Sequence, residues 1–87
     1  MSGDRQRIDR WLWHARIVRT RSAAALLVVA GHVRVNAVRV VAPARQVKCG
    51  DVVTVALDGG VRVVKVCGFA LRRGDAEAAL RLYEDLG

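Results

Sequence analysis

Between Arg7 and Gly31 the apolar positions recur with helical spacing, and beyond Gly31 they begin to alternate. Ile8, Trp11, Leu12 and Ala15 fall at i, i+3, i+4 and i+7, the stripe by which an amphipathic helix meets a core. Asp9, Trp13 and Arg16 lie on one flank of that stripe, Arg10 and His14 on the other. Thr20 stands where a second helix needs an N-cap, and Gly31 follows the last apolar residue as a C′ glycine does. The second helix is therefore expected over residues 21–30.

From His32 the valines alternate with polar residues, which predicts a hairpin: His32-Val33-Arg34-Val35, then Asn36-Ala37, then Val38-Arg39-Val40. A two-residue loop at Asn36-Ala37 pairs Val35 with Val38 and sets Arg34 opposite Arg39. Such like charges repel unless they splay into water or share an anion, in which case this face extends the arginine patch of the helices. Because Ala37 is disfavoured where both loop residues need φ > 0, a longer loop or another turn type is also expected. Pro43 falls in a connecting loop and Lys48-Cys49-Gly50-Asp51 reads as a turn. Val52 to Leu57, an Asp58-Gly59-Gly60 turn and Val61 to Val66 make a second antiparallel pair, with valines on both faces. That suits a small curled sheet closed against the helices rather than one with a wet side. Asp75 can cap a third helix with an Ala76, Ala79, Leu80, Tyr83 stripe and a Glu77-Arg81 pair. The fold class is α+β, with residues 1–87 as one domain.

Charge sharpens the picture. Of 87 residues, 53% are hydrophobic, which excludes a disordered chain, and the net charge is +7. Residues 1–50 hold ten Lys/Arg against two Asp, whereas residues 51–87 hold five against six Asp/Glu. A basic first half implies a polyanionic partner, and 13 of the 15 cations are arginine, which forks onto phosphate and stacks on bases. The longest apolar run, Ala23 to Ala30, has eight residues, too short to span a bilayer, and no apolar stretch follows the polar MSGDRQR start. No membrane partner is expected, and the expected location is the cytoplasm.

The candidate chemistry lies at the start of the second helix. Arg19 and Arg21 flank its cap, although a helix N-terminus is itself positive and ordinarily attracts acids. Free backbone N–H groups, the Ser22 hydroxyl and two arginines together describe a phosphate site. Trp13 either packs on the C-terminal segment or offers a stacking platform for an unpaired base. Asp9, the one acid within the basic stretch, is expected to orient a neighbouring arginine. His14, His32, Cys49 and Cys67 lack the short spacing of a zinc site, and read as core thiols and solvated imidazoles. No nucleophile–base grouping and no Walker loop is present, so the chain reads as a binder, not an enzyme, and no cofactor or metal is expected.

Arg7-Ile8-Asp9-Arg10-Trp11-Leu12-Trp13, Ala15-Arg16, Thr20-Arg21-Ser22, Gly31, Val33, Val35-Asn36 and Gly50-Asp51-Val52 resemble the RNA-binding domain named after the fourth small-subunit ribosomal protein, over about residues 7–55. The Trp-Leu-Trp run before Ala15-Arg16, the Arg19-Thr20-Arg21 step, and Arg72-Arg73 followed by Glu77-Ala78-Ala79-Leu80 and Tyr83-Glu84 are similar to the ribosome-associated heat-shock protein fifteen family. The resemblance implies the alpha-L motif, two N-terminal helices packed on a small curled sheet, with a short C-terminal helix. It implies binding of structured ribosomal RNA, recognition of large ribosomal subunits still carrying a nascent chain on transfer RNA after stress, and their recycling. By matching position, Arg10, Arg16, Arg19, Arg21, Ser22 and Asn36 would face RNA; Trp13, Thr20, Arg34, Arg39 and Lys48 complete the candidate set. A monomer is expected. Ala37 stands where the family usually has glycine, and the family's long basic C-terminal tail has no counterpart after Leu86-Gly87, from which a lower affinity is expected.

Two other classes fit parts of the chain. It could be the RNA-binding module of a pseudouridine synthase or ribosomal RNA methyltransferase, which an open reading frame longer by a catalytic domain would favour. A DNA-binding helix-turn-helix protein is the other, although residues 23–30 carry no side chains to read base edges.

Overall fold

A computed structural model describes residues 4–87; the polar start at residues 1–3 lies outside it. Strand β1 (Arg5–Arg7) leads into helix α1 (Ile8–His14), followed by helix α2 (Arg21–Val29). Strands β2 (Val33–Val35), β3 (Val38–Val40), β4 (Gln46–Lys48), β5 (Val52–Leu57) and β6 (Gly60–Val66) come next, then helix α3 (Ala76–Ala79) and strand β7 (Tyr83–Asp85). Five strands form an antiparallel sheet in the order β3-β2-β5-β6-β7, while β1 and β4 pair as a separate two-stranded ribbon.

Alternation decides which face of the sheet is covered. Val33, Val35, Val53, Val55, Val64 and Val66 point inward and are buried, together with Ile8, Trp11 and Leu12 of α1 and Ala24 and Val28 of α2. The intervening β5 positions, Val52, Thr54 and Ala56, are half-buried, so the second face is partly open rather than closed as expected. The Trp11 indole N–H donates to the Gly68 carbonyl (3.0 Å), pinning the core to the segment after β6.

Both helices end in the same way. At the end of α2 the Gly31 N–H donates to the Val28 carbonyl and the His32 N–H to the Leu27 carbonyl, with Gly31 at φ +83°. This is the Schellman arrangement the sequence announced. At the end of α1 the Arg16 N–H donates to Trp13 and the Ile17 N–H to Leu12, with Arg16 itself at φ +60°. The helix thus stops at His14, one residue before the apolar stripe ends, because Ile17 and Val18 turn back into the core. Ala15 remains buried as the cap residue and Arg16 leaves the helix flank.

Other expectations are met in part and corrected in part. The Asn36-Ala37 loop has two residues after all, at φ +52° and +70°, the mirror-image turn whose twist suits a hairpin. The third helix is a single turn: Leu80 is exposed, Tyr83 belongs to β7, and no Glu77–Arg81 ion pair forms among the described residues. Asp75 does cap it, accepting from the Ala78 N–H at 2.8 Å. Lys48 ends β4 and opens the expected turn through Cys49 and Gly50, its carbonyl accepting from the Asp51 N–H at 3.1 Å. Cys49 and Cys67 are exposed and His14 is buried, the reverse of core thiols and a solvated imidazole; His32 is exposed as expected.

Candidate nucleic-acid interface

The N-terminus of α2 is built as its sequence requires. Thr20 is extended, and its hydroxyl accepts from the Ala23 N–H at 3.0 Å while its carbonyl accepts from Ala24. The N–H groups of Arg21 and Ser22 have no acceptor among the described residues, and the first turn contains no acid. Ser22, Arg19 and Thr20 are exposed and Arg21 is partly so.

Asp9 organises the arginines around this end. Its carboxylate is nearly buried and accepts twice from Arg7, at 2.9 Å from both Nε and Nη2, while Arg21 Nε lies 4.0 Å away. The buried acid therefore orients two cations without presenting negative charge outward. This contact raises the Arg7 pKa. The N-terminus of α1, by contrast, is closed: its Ile8 and Asp9 N–H groups donate to the carbonyls of Arg45 and Pro43.

Segment 68–74 strengthens the assembly from the far end of the chain. Arg73 Nε donates to the Trp13 carbonyl (3.0 Å), and its guanidinium lies 5.8 Å from the Trp13 ring centre. Arg73 is thus a cation at the C-terminus of α1 and a cover for the half-buried Trp13, so Trp13 packs on the C-terminal segment. Arg16 Nε donates to the Gly74 carbonyl at 2.9 Å. Beneath them, burial first and the Arg10 charge second, with Arg21 and Arg73 behind, hold the His14 pKa below its ordinary value against the pull of the Ala70 carbonyl. Two neutral or cationic side chains that the sequence did not single out for the site, His14 and Arg73, therefore belong to its framework. Only the Arg72-Arg73 pair in the resemblance pointed that way.

The remaining candidates fall elsewhere. Arg34 and Arg39 are paired as expected, but on the sheet face opposite the helices, with Arg39 lying against Gly31 at the far end of α2. They do not continue the arginine patch at the N-terminus of that helix. Asn36 and Lys48 converge on the buried Asp51: the Asn36 amide donates to it at 3.1 Å, and Lys48 donates from its backbone N–H and its ammonium, both at 3.0 Å. Burial would raise the Asp51 pKa, yet these donors together lower it. The Asn36 oxygen also accepts from the Val52 N–H (2.9 Å), so this side chain ties the hairpin to β5.

Two helices on a small antiparallel sheet, with an arginine-flanked helix start left open, are the arrangement expected of an RNA-binding domain of the alpha-L type, and comparison places the chain. The S4 domain family model matches residues 6–53. The chain therefore belongs to the S4 domain family. Beyond that segment it is similar to heat shock protein 15: the Aeromonas salmonicida homologue is 35% identical over 79 residues, 91% of this chain. The chain spans 59% of the length of that relative. The small ribosomal subunit protein uS4 of Methylobacterium radiotolerans is 46% identical over 50 residues, covering 58% of this chain and 24% of its own. Among solved structures, heat shock protein 15 of Vibrio cholerae, described as trimeric, superposes with a TM-score of 0.87 at 30% identity, over 94% of this chain and 82% of that one. None of these names is that of an enzyme. No described helix is long and apolar enough to cross a membrane.

Proposed function

We propose that the chain docks on structured ribosomal RNA of the large subunit and acts in the cytoplasm in stress-related recycling of stalled subunits, where transfer RNA would lie within reach. The observation that carries this reading is the open N-terminus of α2. This end carries the Arg21 and Ser22 N–H groups without acceptors among the described residues, the exposed Ser22 hydroxyl and a flanking arginine on each side of the Thr20 cap, and the nearby Asp9 carboxylate is buried. A phosphate there completes hydrogen bonds that the protein leaves open. Similarity to proteins named for heat shock and for the ribosome supports the setting. Arg10, Arg16 and Thr20 remain candidates near this centre, with Trp13 beneath Arg73; Arg34, Arg39, Asn36 and Lys48 stand apart from it as candidates for separate contacts. The proposed acting unit is a monomer, a reading supported by one chain carrying all the residues of the α2 site; the Vibrio cholerae relative is described as trimeric.

The test is co-sedimentation with separated small and large subunits at low and moderate salt, using the wild-type chain and an Arg19→Ala/Arg21→Ala variant. Pelleting with the large subunit alone, weakened by salt and by the variant, is the expected result. Binding to neither subunit at low salt, or equal pelleting of the folded variant, refutes it. Sedimentation velocity of the free protein checks the monomer.

A further inference from the structure

The β1–β4 ribbon was not foreseen in the sequence, and it gathers charge that the α2 site does not use. Its register sets Arg5 opposite Lys48, Gln6 opposite Val47 and Arg7 opposite Gln46. Val47 is buried, and Gln6 is half-buried with its amide donating to the Ala70 carbonyl. Alternation therefore turns Arg5, Arg7, Gln46 and Lys48 outward, all of them exposed. A groove of about 410 Å³ between Arg5, Arg45 and Lys48 lies on one side, and a second of about 270 Å³ between Arg5, Arg7 and Arg10 on the other.

This arrangement opposes folding unless something answers it. Directly opposed like charges destabilise a ladder, and a ribbon of two three-residue strands has little stability to spare. Of the neighbouring carboxylates, Asp9 and Asp51 are buried and already engaged by Arg7 and Lys48, and Asp4 is exposed and forms no ion pair among the described residues. Arg5, Arg10 and Arg45 have no carboxylate partner among the described residues. Continuity comes through Asp9, which holds Arg7 of the ribbon and Arg21 of α2 on either side.

We propose that the outer face of the β1–β4 ribbon is a second RNA-binding surface, on which Arg5, Arg45 and Arg10 receive the phosphodiester backbone adjoining the segment held at α2. This rests on the RNA-binding reading above. The contact is to phosphate and carries no base specificity; it lengthens the bound stretch and sets its direction across the protein.

The test measures binding of a long fluorescent RNA hairpin against salt concentration for four proteins: wild type, Arg5→Ala/Arg45→Ala, Arg19→Ala/Arg21→Ala, and Lys65→Ala/Arg81→Ala as a remote control of equal charge change. Arg5 and Arg45 make no side-chain hydrogen bond among the described residues, so the ribbon variant is expected to fold, which circular dichroism checks. Loss of two phosphate contacts lowers the slope of log affinity against log salt by about 2. The expected result is that drop in both the ribbon and the α2 variants and none in the control. A ribbon variant with the wild-type slope, beside a weakened α2 variant, overturns the ribbon surface and leaves the α2 site standing. An equal drop in the control also overturns it, since net charge then explains the effect. Absence of RNA binding by the wild type overturns the RNA reading and the ribbon with it.

Discussion

Replacing Ala37 by glycine tests whether the β2–β3 hairpin carries a local conformational cost. Ala37 is held at φ +70° as the second residue of a two-residue turn, with Asn36 at +52° before it. An L-residue with a Cβ in this region costs about 1–2 kcal/mol, which glycine escapes. Glycine also frees the unfolded chain, which returns about 0.4–1 kcal/mol to the unfolded side. The difference, between about 0 and 1.6 kcal/mol, is centred on a gain of about 0.8 kcal/mol for Ala37→Gly. For a domain of this size that raises the thermal midpoint by roughly 2–8 °C. Asn36 is untouched, so its bonds to Asp51 and Val52 persist and nothing else in the hairpin changes. Thermal unfolding followed by circular dichroism reads the shift, and Ala37→Val, branched at Cβ, is expected to move it downward. An Ala37→Gly midpoint at or below wild type refutes the assignment of strain to this turn.

Three further outcomes follow from the core and the helix termini. Trp11→Phe keeps an aromatic ring but leaves the Gly68 carbonyl unpaired, so urea unfolding should show a loss of about 1–3 kcal/mol; an unchanged midpoint means that the bond to Gly68 contributes nothing. Thr20→Ala removes the hydroxyl that accepts from Ala23 and should cost about 1 kcal/mol by the same assay, with Thr20→Ser restoring most of it. His14 has a folded pKa below its unfolded one, so the unfolded chain takes up this proton first as the pH falls. Stability present above about pH 6.5 is then lost on acidification toward the folded value, and the thermal midpoint drops in that window. The drop should disappear in His14→Gln; the same drop in that variant rules out His14 as its source.

Local signals carried much of this fold. Thr20 as a cap, Gly31 as a helix terminator and the Asn36-Ala37 register needed only short-range chemistry, and the fold contains each one. So did the orienting role of Asp9, because one acid among arginines has few other partners. Arg16 shows where short-range reasoning stops. An arginine continues a helix on propensity alone, and only the burial of Ile17 and Val18 and the bond to Gly74 hold it in the left-handed region. Tyr83 has helical spacing from Ala76 and Ala79, yet it joins β7 because the free edge of β6 takes three residues and Arg62 covers its ring.

The sequence by itself determined the two helices, the valine hairpins, the basic first half and the arginine-flanked cap at Thr20, because capping, alternation and charge act over a few residues. Tertiary structure decided which arginines share a surface. It put Arg34 and Arg39 behind the sheet, drew Asn36 and Lys48 onto Asp51, and brought Arg73 to Trp13. It also paired β1 with β4 across some forty residues, a contact with no local signature, since it depends on the carbonyls of Pro43 and Arg45 closing the start of α1.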